Sequence, residues 1–168
     1  CMSLLVAGNE TTRHLISGGL ALLAEHPEQR SMLAADPSLI PAAVEEMLRW
    51  ITPIVAMART TTCPVTMDGV DVDEGSYLVM LYAAANRDER VFGDTADRFD
   101  VTRSPNPHLS FGIGEHFCLG AQLARLEAQT VFTEVLRRWP DYRVLDGVEG
   151  EESTLLRATA KLPILLQP

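Results

Sequence analysis

The chain has 168 residues, of which 46% are hydrophobic and 22% charged, and this composition indicates a globular protein rather than a disordered or fibrous one. Its 14 basic and 23 acidic residues give a formal net charge of −9, which argues against nucleic acid as a partner because phosphate binding needs clustered Lys and Arg. The three cysteines are too few for a disulfide framework, so a reducing, cytoplasmic compartment is expected. No uninterrupted apolar stretch reaches the length of about 18 residues that indicates a transmembrane helix.

The length favours one domain, and we treat residues 1–168 as a single region. The chain begins without Met, in an apolar stretch with helical spacing, so we expect it to be the C-terminal part of a longer protein. Helical periodicity predicts a helix over residues 1–24, a second from Pro27 to Ala35 and a third from Pro41 to Trp50. The candidate buried residues of the third helix are Val44, Met47, Leu48 and Trp50.

The pattern changes after residue 54. The segment 65–72 is typical of a β-hairpin around Asp68-Gly69, and Tyr77 to Leu81 is predicted to be a buried strand. Residues 86–118 are predicted to be mostly irregular, and a loop of that length is usually functional. A long helix is predicted from Leu119 to Trp139, followed by short strands and turns. Its expected apolar face consists of Leu123, Leu126, Val131, Val135 and Trp139. These elements predict a mainly α protein with small β-sheets, an α+β fold.

The strongest chemical signal is the glycine-rich segment from Phe111 to Gly120. Its glycines permit tight turns, and it delivers Cys118 to the start of the last long helix. Backbone N–H groups and the helix dipole favour a thiolate at such a position. A thiolate held this way is either a nucleophile or a metal ligand, and a buried structural cysteine is the alternative interpretation.

The spacing Phe-x-x-Gly-x-x-x-Cys-x-Gly is similar to the haem-ligand signature of the cytochrome P450 family. The resemblance implies a haem b whose iron is bound by the Cys118 thiolate. It further implies that His116 contacts a haem propionate. The cofactor-binding residues that the resemblance assigns to this loop are Phe111, Gly112, Gly114, His116, Cys118 and Gly120.

Two further motifs resemble those of the same family. Glu46 and Arg49, spaced i,i+3, share one helix face and can pair, although a solvated surface pair is the alternative. In the family this pair is joined by an arginine from the irregular segment, and the resemblance assigns that place to Arg98, in a structural role.

The other motif lies near the start of the chain, at residues 7–12. A Thr in mid-helix can bond back to the carbonyl four residues earlier, which for Thr11 is that of Ala7. The resemblance implies oxygen activation here, with Gly8 leaving room beside the haem and with Glu10 and Thr11 relaying protons. The alternative is that Gly8 and Thr11 are packing residues.

The resemblance also assigns Arg59 to the other haem propionate, and Val55 and Ala56 to an apolar lining on the substrate side. His14 and His26 are expected at the surface. Cys63 is interpreted as a free thiol without function, and His108 receives no role.

The resemblance implies a haem-thiolate monooxygenase that inserts one oxygen atom from O2 into a hydrophobic small molecule. Two electrons would come from a ferredoxin or flavodoxin-type partner. The fold would be the C-terminal part of the cytochrome P450 fold from the middle of its I helix onward, and a fragment lacking the rest of the distal pocket is expected to be inactive alone. Sterols, terpenoids, fatty acids and polyketides are all compatible substrates.

The sequence also leaves other classes of function open. The chain could be a non-catalytic haem-binding module or an inactive truncated product. A cysteine hydrolase built on Cys118 and His116 is disfavoured, because residues two apart on a tight loop rarely form a good nucleophile–base pair. A zinc site at the same two residues lacks further ligands at the usual spacing.

Overall fold

A computed structural model describes the backbone of residues 2–167 and the side chains of residues 7–167. The first three helices are α1 (Met2–Glu25), α2 (Pro27–Ala35) and α3 (Ile40–Ile51), so the predicted helices are confirmed to within one residue at each described end. The predicted start at Cys1 lies outside the described residues. Helix α3 is capped by Thr52, which has a left-handed φ of 47° while its N–H still bonds the Leu48 carbonyl at 2.9 Å.

Four strands follow, in two antiparallel pairs. They are β1 (Met57–Thr60), β2 (Val65–Met67), β3 (Val70–Val72) and β4 (Tyr77–Met80). Strand β2 pairs with β3 through Asp68 and Gly69, whose φ angles of 47° and 78° suit a type I′ turn, and the predicted hairpin is confirmed. The prediction of a buried strand at β4 is wrong: it pairs with β1 alone, and Tyr77 and Val79 on its outer face are exposed.

The segment between the sheets and the last helix is largely irregular, as predicted, with a few single turns. The remaining elements are α4 (Tyr82–Ala85), α5 (Glu89–Phe92), α6 (Ala121–Arg138), β5 (Arg143–Val144), β6 (Glu149–Gly150), β7 (Thr159–Lys161) and β8 (Ile164–Leu165). Strand β5 pairs with β8 and β6 with β7. The predicted mainly α fold with small sheets is confirmed. Among residues 2–167, none of the helices has the length and apolar character needed to cross a bilayer.

The hydrophobic core lies where α1, α3 and α6 pack together. Gly19 of α1 permits the closest approach, because a Cβ there would lie 2.5 Å from Phe132 Cζ and 2.9 Å from Met47 Sδ. Val44, Met47 and Leu48 are buried as predicted, whereas Trp50 is only half-buried.

The predicted apolar face of α6 is wrong at its N-terminal end. Leu123 and Leu126 are exposed, and the residues of α6 that are buried instead are Ala121, Ala128, Phe132 and Leu136. The prediction followed the largest aliphatic side chains. Because α1 packs closely against α6, the buried face of α6 is a different one, which contains Ala121 and Ala128.

Candidate functional site

The Cys118 loop, residues 111–120, is shaped by its own backbone hydrogen bonds. The Cys118 N–H donates to the Phe111 carbonyl at 2.9 Å, and between these residues lies a 3-10 turn at Gly114–His116. Gly112 and Gly114 have φ angles of 68° and 69°, which side chains with a Cβ adopt only with strain. The glycines of the motif therefore close the loop, and they hold the Cys118 backbone against Phe111.

Two features that can stabilise a negative charge are associated with Cys118, the N-terminus of α6 and the Arg125 side chain. Helix α6 begins three residues after it, and the Ala121 N–H bonds the Cys118 carbonyl at 3.3 Å. The side chain is partly exposed, so a partner atom can reach the sulfur. The pKa of Arg125 is raised, mainly by its hydrogen bond to Glu45 and, against the opposing effect of burial, by the charges of Glu45 and Cys118, so the Arg125 cation and the Cys118 sulfur attract each other. The N-terminus of α6 and the Arg125 cation can both stabilise a negative charge on the sulfur.

Several large apolar side chains are exposed on the Cys118 loop and at the start of α6. Leu119, next to the cysteine, is 90% exposed. The other large apolar side chains that are exposed on the loop and the start of α6 are Ile113, Phe117, Leu123 and Leu126. A single thiolate donor set among exposed apolar side chains fits a planar, largely apolar group that carries a metal ion, and so fits the haem implied by the resemblance.

Glu46 and Arg49 form a buried ion pair, and both side chains have 0% exposure. Arg49 Nε and Nη2 donate to the two carboxylate oxygens of Glu46, each at 2.8 Å. Its other N–H groups donate to the carbonyls of Asn86, Ala96 and Arg98 at 2.8–2.9 Å. All five guanidinium donors are used, so the predicted pairing is confirmed and the solvated surface pair is excluded.

The arginine that joins this pair is Arg103, and the prediction of Arg98 is wrong. Arg103 Nε donates to Glu46 Oε2 at 3.1 Å, while the Arg98 side chain is exposed and only its carbonyl meets the network. The reason is a turn: the Asp100 carboxylate accepts from the Thr102 N–H, and the Arg103 N–H bonds the Asp100 carbonyl. The turn signal Asp-x-Thr before Arg103 could have identified it from the sequence.

Two asparagines missed at the sequence level complete this region. Asn106 Nδ2 donates to Glu46 Oε2 at 3.0 Å. Asn86 is fully buried; its Nδ2 donates to the hydroxyls of Thr52 and Ser110, and its Oδ1 accepts the Leu109 N–H. Asn86 thus ties the end of α3 to the chain that leads into the Cys118 loop. Neither residue belongs to a local pattern, since each of these contacts spans 20 residues or more.

A second charged cluster lies behind the Cys118 loop and was also missed. Glu45 accepts hydrogen bonds from Arg125 Nε and Nη2, at 2.7 and 2.9 Å, and lies 3.0 Å from His108 Nε2. Burial alone would raise the pKa of Glu45, but the hydrogen bonds from Arg125 and His108 outweigh it and lower the pKa to about 2. His108, which had no predicted role, therefore belongs to an ionised cluster.

The N-terminal motif on α1 has the predicted backbone contact. Thr11 Oγ1 donates to the Ala7 carbonyl at 2.6 Å, as the spacing predicted. The Glu10 carboxylate pairs with Arg13 and lies 3.3 Å from His14 Nε2. The prediction that His14 lies at the surface is wrong: its ring is buried because β7 covers it, and Nδ1 accepts the Thr159 N–H at 3.2 Å.

Glu10, His14 and Glu151 bring three possible metal-ligand atoms within 4.8 Å of one another. Because His14 Nδ1 accepts the Thr159 N–H, its Nε2 carries the ring proton in the neutral form and has no free lone pair for a metal ion. The cluster is therefore a set of ion pairs and hydrogen bonds that ties α1 to the C-terminal segment.

An open groove of about 650 Å³ lies between α1, α6 and the C-terminal segment. Gly8 lines it, and a Cβ on Gly8 would meet no atom within 4 Å. No residue of the Cys118 loop lines this groove, so it is separate from the thiolate site.

The remaining candidate residues lie outside these clusters. Arg59 is exposed on β1 and, within residues 2–167, forms no ion pair. His116 is exposed on the 3-10 turn. Val55 and Ala56 are half-buried in the extended chain before β1, where the Val55 N–H bonds the Leu155 carbonyl. Their roles stay predictions. His26, expected at the surface, is half-buried against Phe99, while Cys63 is exposed.

Comparison with known proteins identifies many relatives. A family model described as cytochrome P450 matches residues 1–141. A steroid C26-monooxygenase from Mycolicibacterium smegmatis is 44% identical over 172 residues, which cover 96% of this chain and 43% of that protein. A biotin biosynthesis cytochrome P450 from Bacillus subtilis is 47% identical over 169 residues, which cover 99% of this chain and 42% of that protein.

Solved structures agree with these relatives. The crystal structure of P450BioI in complex with hexadec-9Z-enoic acid ligated acyl carrier protein superposes with a TM-score of 0.96 at 43% identity, covering 99% of this chain and 44% of that one. CYP109B1 from Bacillus subtilis superposes with a TM-score of 0.93 at 38% identity, covering 98% and 44%. The chain thus spans less than half the length of the relatives it matches.

Proposed function

Because the chain belongs to the cytochrome P450 family, which implies a haem bound through a cysteine thiolate, we propose that Cys118 is the haem ligand of this chain. The observation that carries the proposal is the Cys118 loop: one cysteine just before α6, attracted to the Arg125 cation, with exposed apolar side chains on the loop and at the start of α6. Cys63 lacks these features, since it lies between β1 and β2 rather than at the start of a helix.

The function we propose is that of a haem-thiolate monooxygenase, which inserts one oxygen atom from O2 into an apolar molecule with electrons from a ferredoxin or flavodoxin-type partner. When bound, the haem supplies the oxygen chemistry. The chain's own residues bind and orient it: the Cys118 loop presents the thiolate, while Arg59 and His116 offer exposed side chains that can pair with propionates. Val55 and Ala56 contribute apolar surface toward the substrate.

The proposed role of α1 is proton delivery. The Thr11 hydroxyl, fixed by its bond to the Ala7 carbonyl, holds a proton at a defined position, and the Glu10 carboxylate nearby on the helix is partly exposed and can exchange protons with water. Thr11→Ala in the complete protein is expected to retain haem but to release more peroxide per O2 consumed. Thr11→Ser, which keeps the hydroxyl, is the matched control and is expected to stay coupled.

The relatives' names indicate apolar substrates of different shapes. One is a steroid C26-monooxygenase, and the solved P450BioI structure contains a fatty acyl group on a carrier protein. Both are consistent with the apolar substrate class proposed here. Because the two names indicate different molecules, we propose only that the substrate is apolar.

The ligand assignment is tested by comparing Cys118→Ala with Cys63→Ala. Each protein is reconstituted with haem and reduced, and the carbon monoxide difference spectrum is recorded. The parent and Cys63→Ala are expected to give the thiolate-type Soret band, and Cys118→Ala is expected to lose it. Retention of that band by Cys118→Ala would refute the assignment.

A further inference from the structure

Adjacent glutamates on α3 serve two different clusters. Glu46 faces Arg49 and Arg103, whereas Glu45 binds Arg125 of α6 through both carboxylate oxygens, at 2.7 and 2.9 Å. The bidentate geometry is the strong form of an arginine–carboxylate pair. Glu45 also accepts from His108 Nε2 at 3.0 Å, since His108 Nδ1 accepts the Ser110 N–H and leaves the proton on Nε2. One carboxylate therefore connects α3, α6 and the chain before the Cys118 loop.

The partners of Glu45 converge on Phe111. The Arg125 guanidinium lies over the Phe111 ring, 4.6 Å from its centroid, and the His108 ring lies 6.1 Å from it. The carbonyl of Phe111 is the group that accepts the Cys118 N–H at 2.9 Å. The position of Arg125 is thus linked, through one side chain and one backbone hydrogen bond, to the position of the cysteine.

Arg125 also bears on Cys118 through its charge. It lies about one turn into α6, seven residues after Cys118, and the Glu45 carboxylate and the Cys118 sulfur both stabilise its positive charge. Glu45 is ionised at neutral pH because its partners outweigh the effect of burial. The carboxylate of Glu45 is hydrogen-bonded to the guanidinium of Arg125, so its charge opposes that of Arg125 at the Cys118 sulfur.

We propose that Arg125 is the cation that stabilises the Cys118 thiolate and that Glu45 is a positioning residue, which fixes Arg125 over Phe111 and limits its field at the sulfur. This inference rests on the assignment of Cys118 as the haem ligand. A cation near the ligand favours the state that has gained an electron, and an anion opposes it. The ion pair thus sets the reduction potential of the bound haem in addition to holding the loop.

The test uses charge changes of opposite sign in the haem-loaded complete protein. Glu45→Gln leaves Arg125 without its anion and is expected to raise the reduction potential. Arg125→Gln leaves Glu45 without its cation and is expected to lower it. The double variant is expected to return close to the parent, because the two changes cancel at the sulfur. Glu134→Gln is the matched control: it removes one charge from a surface cluster of α6 and is expected to leave the potential unchanged.

A second measurement separates charge from position. Arg125→Lys keeps the positive charge but lacks the planar fork that binds Glu45 and covers Phe111. It is expected to keep the potential close to that of the parent while losing haem faster to an acceptor such as apomyoglobin. Because this variant keeps the charge pair, it tests the proposal even if Glu45→Gln or Arg125→Gln does not fold.

The outcomes are distinguishable. Shifts of the same sign in Glu45→Gln and Arg125→Gln, or no shift in either, would overturn the inference while the thiolate-type carbon monoxide band stays intact. A parental protein without that band would instead overturn the Cys118 assignment, and this inference with it.

Discussion

The Glu46 network and the Cys118 loop differ in what completes them. In the network, Glu46 and Arg49 are fully buried, and all five donors of Arg49 bond to partners within the chain. In the loop, glycines and backbone bonds set the shape, while Leu119 and Phe117 are exposed. The partners of the buried network all lie within the chain, so its contribution to stability needs no ligand. The exposed apolar side chains of the loop have no such partners within residues 7–167, which is consistent with the proposal that a bound haem covers them.

This comparison predicts that substitutions in the network change the free energy of unfolding, and that substitutions on the exposed part of the loop change ligand binding. The two regions are linked through adjacent positions of α3, since Glu46 belongs to the network and Glu45 to the cluster behind the loop. The following four changes test this difference, from the largest expected effect to the smallest.

Glu46→Gln is expected to cost about 3–5 kcal/mol of unfolding free energy, because it leaves Arg49 and Arg103 buried without their counter-charge. Urea unfolding followed by circular dichroism measures the loss. Glu134→Gln removes a carboxylate that pairs with arginines at the surface and is expected to cost no more than about 1 kcal/mol. Equal losses in both variants would mean that the buried network contributes no more to the unfolding free energy than a surface ion pair does.

Arg103→Ala is expected to cost about 1–3 kcal/mol, because Glu46 loses one buried hydrogen-bond donor and Phe92 loses a cation over its ring. Arg98→Ala is the matched control, five residues away on the same segment. Its side chain is exposed and its carbonyl is kept, so the expected change is within about 0.5 kcal/mol. Thermal or urea unfolding of the two variants decides between the two arginines, and a larger loss for Arg98→Ala would contradict the structure.

Acid is expected to weaken the cluster behind the loop. The pKa of Glu45 is about 2 in the folded chain, against 4.5 for the free side chain, so its stabilising contribution is present above pH 4.5 and is lost as pH falls toward 2. Between pH 6 and pH 4 the parent is expected to lose about 1 kcal/mol through this group. Glu45→Gln lacks the ionisable carboxyl group, so the difference in unfolding free energy between parent and variant, the stability gap, is expected to become smaller from pH 6 to pH 4. A gap that stays constant or widens as the pH falls would contradict the assignment.

Leu119→Ala is expected to have the smallest effect on stability, within about 0.5 kcal/mol in the haem-free chain, because the side chain is 90% exposed there. In the haem-loaded protein the same change is expected to speed haem loss, since the leucine stands beside Cys118 on the apolar surface. The two measurements are unfolding in urea and haem transfer to apomyoglobin. A large loss of stability without haem would show that the loop, like the network, supports the fold.

Much of the local structure could be predicted from the sequence because it depends on neighbours along the chain. The Asp68-Gly69 turn, the Thr11 bond to Ala7, and the pairing of Glu46 with Arg49 each involve residues no more than four positions apart. The motif around Cys118 belongs here too, since its glycines and its position before α6 lie within ten residues. Such contacts are determined locally, by the steric limits of the backbone and by the spacing of residues along a helix.

The tertiary structure decided the contacts between distant residues. Arg103 rather than Arg98 reaches Glu46, 57 residues away, because a turn at Asp100 redirects the chain. His14 is buried because β7 covers it, and Leu123 and Leu126 are exposed because α1 packs against the other stripe of α6. Glu45 meets Arg125 across 80 residues. The type of a residue and its spacing in the sequence indicate which kinds of partner its side chain can bind. The course of the chain determines which of these partners it contacts, because burial and pairing depend on the elements that pack against the residue.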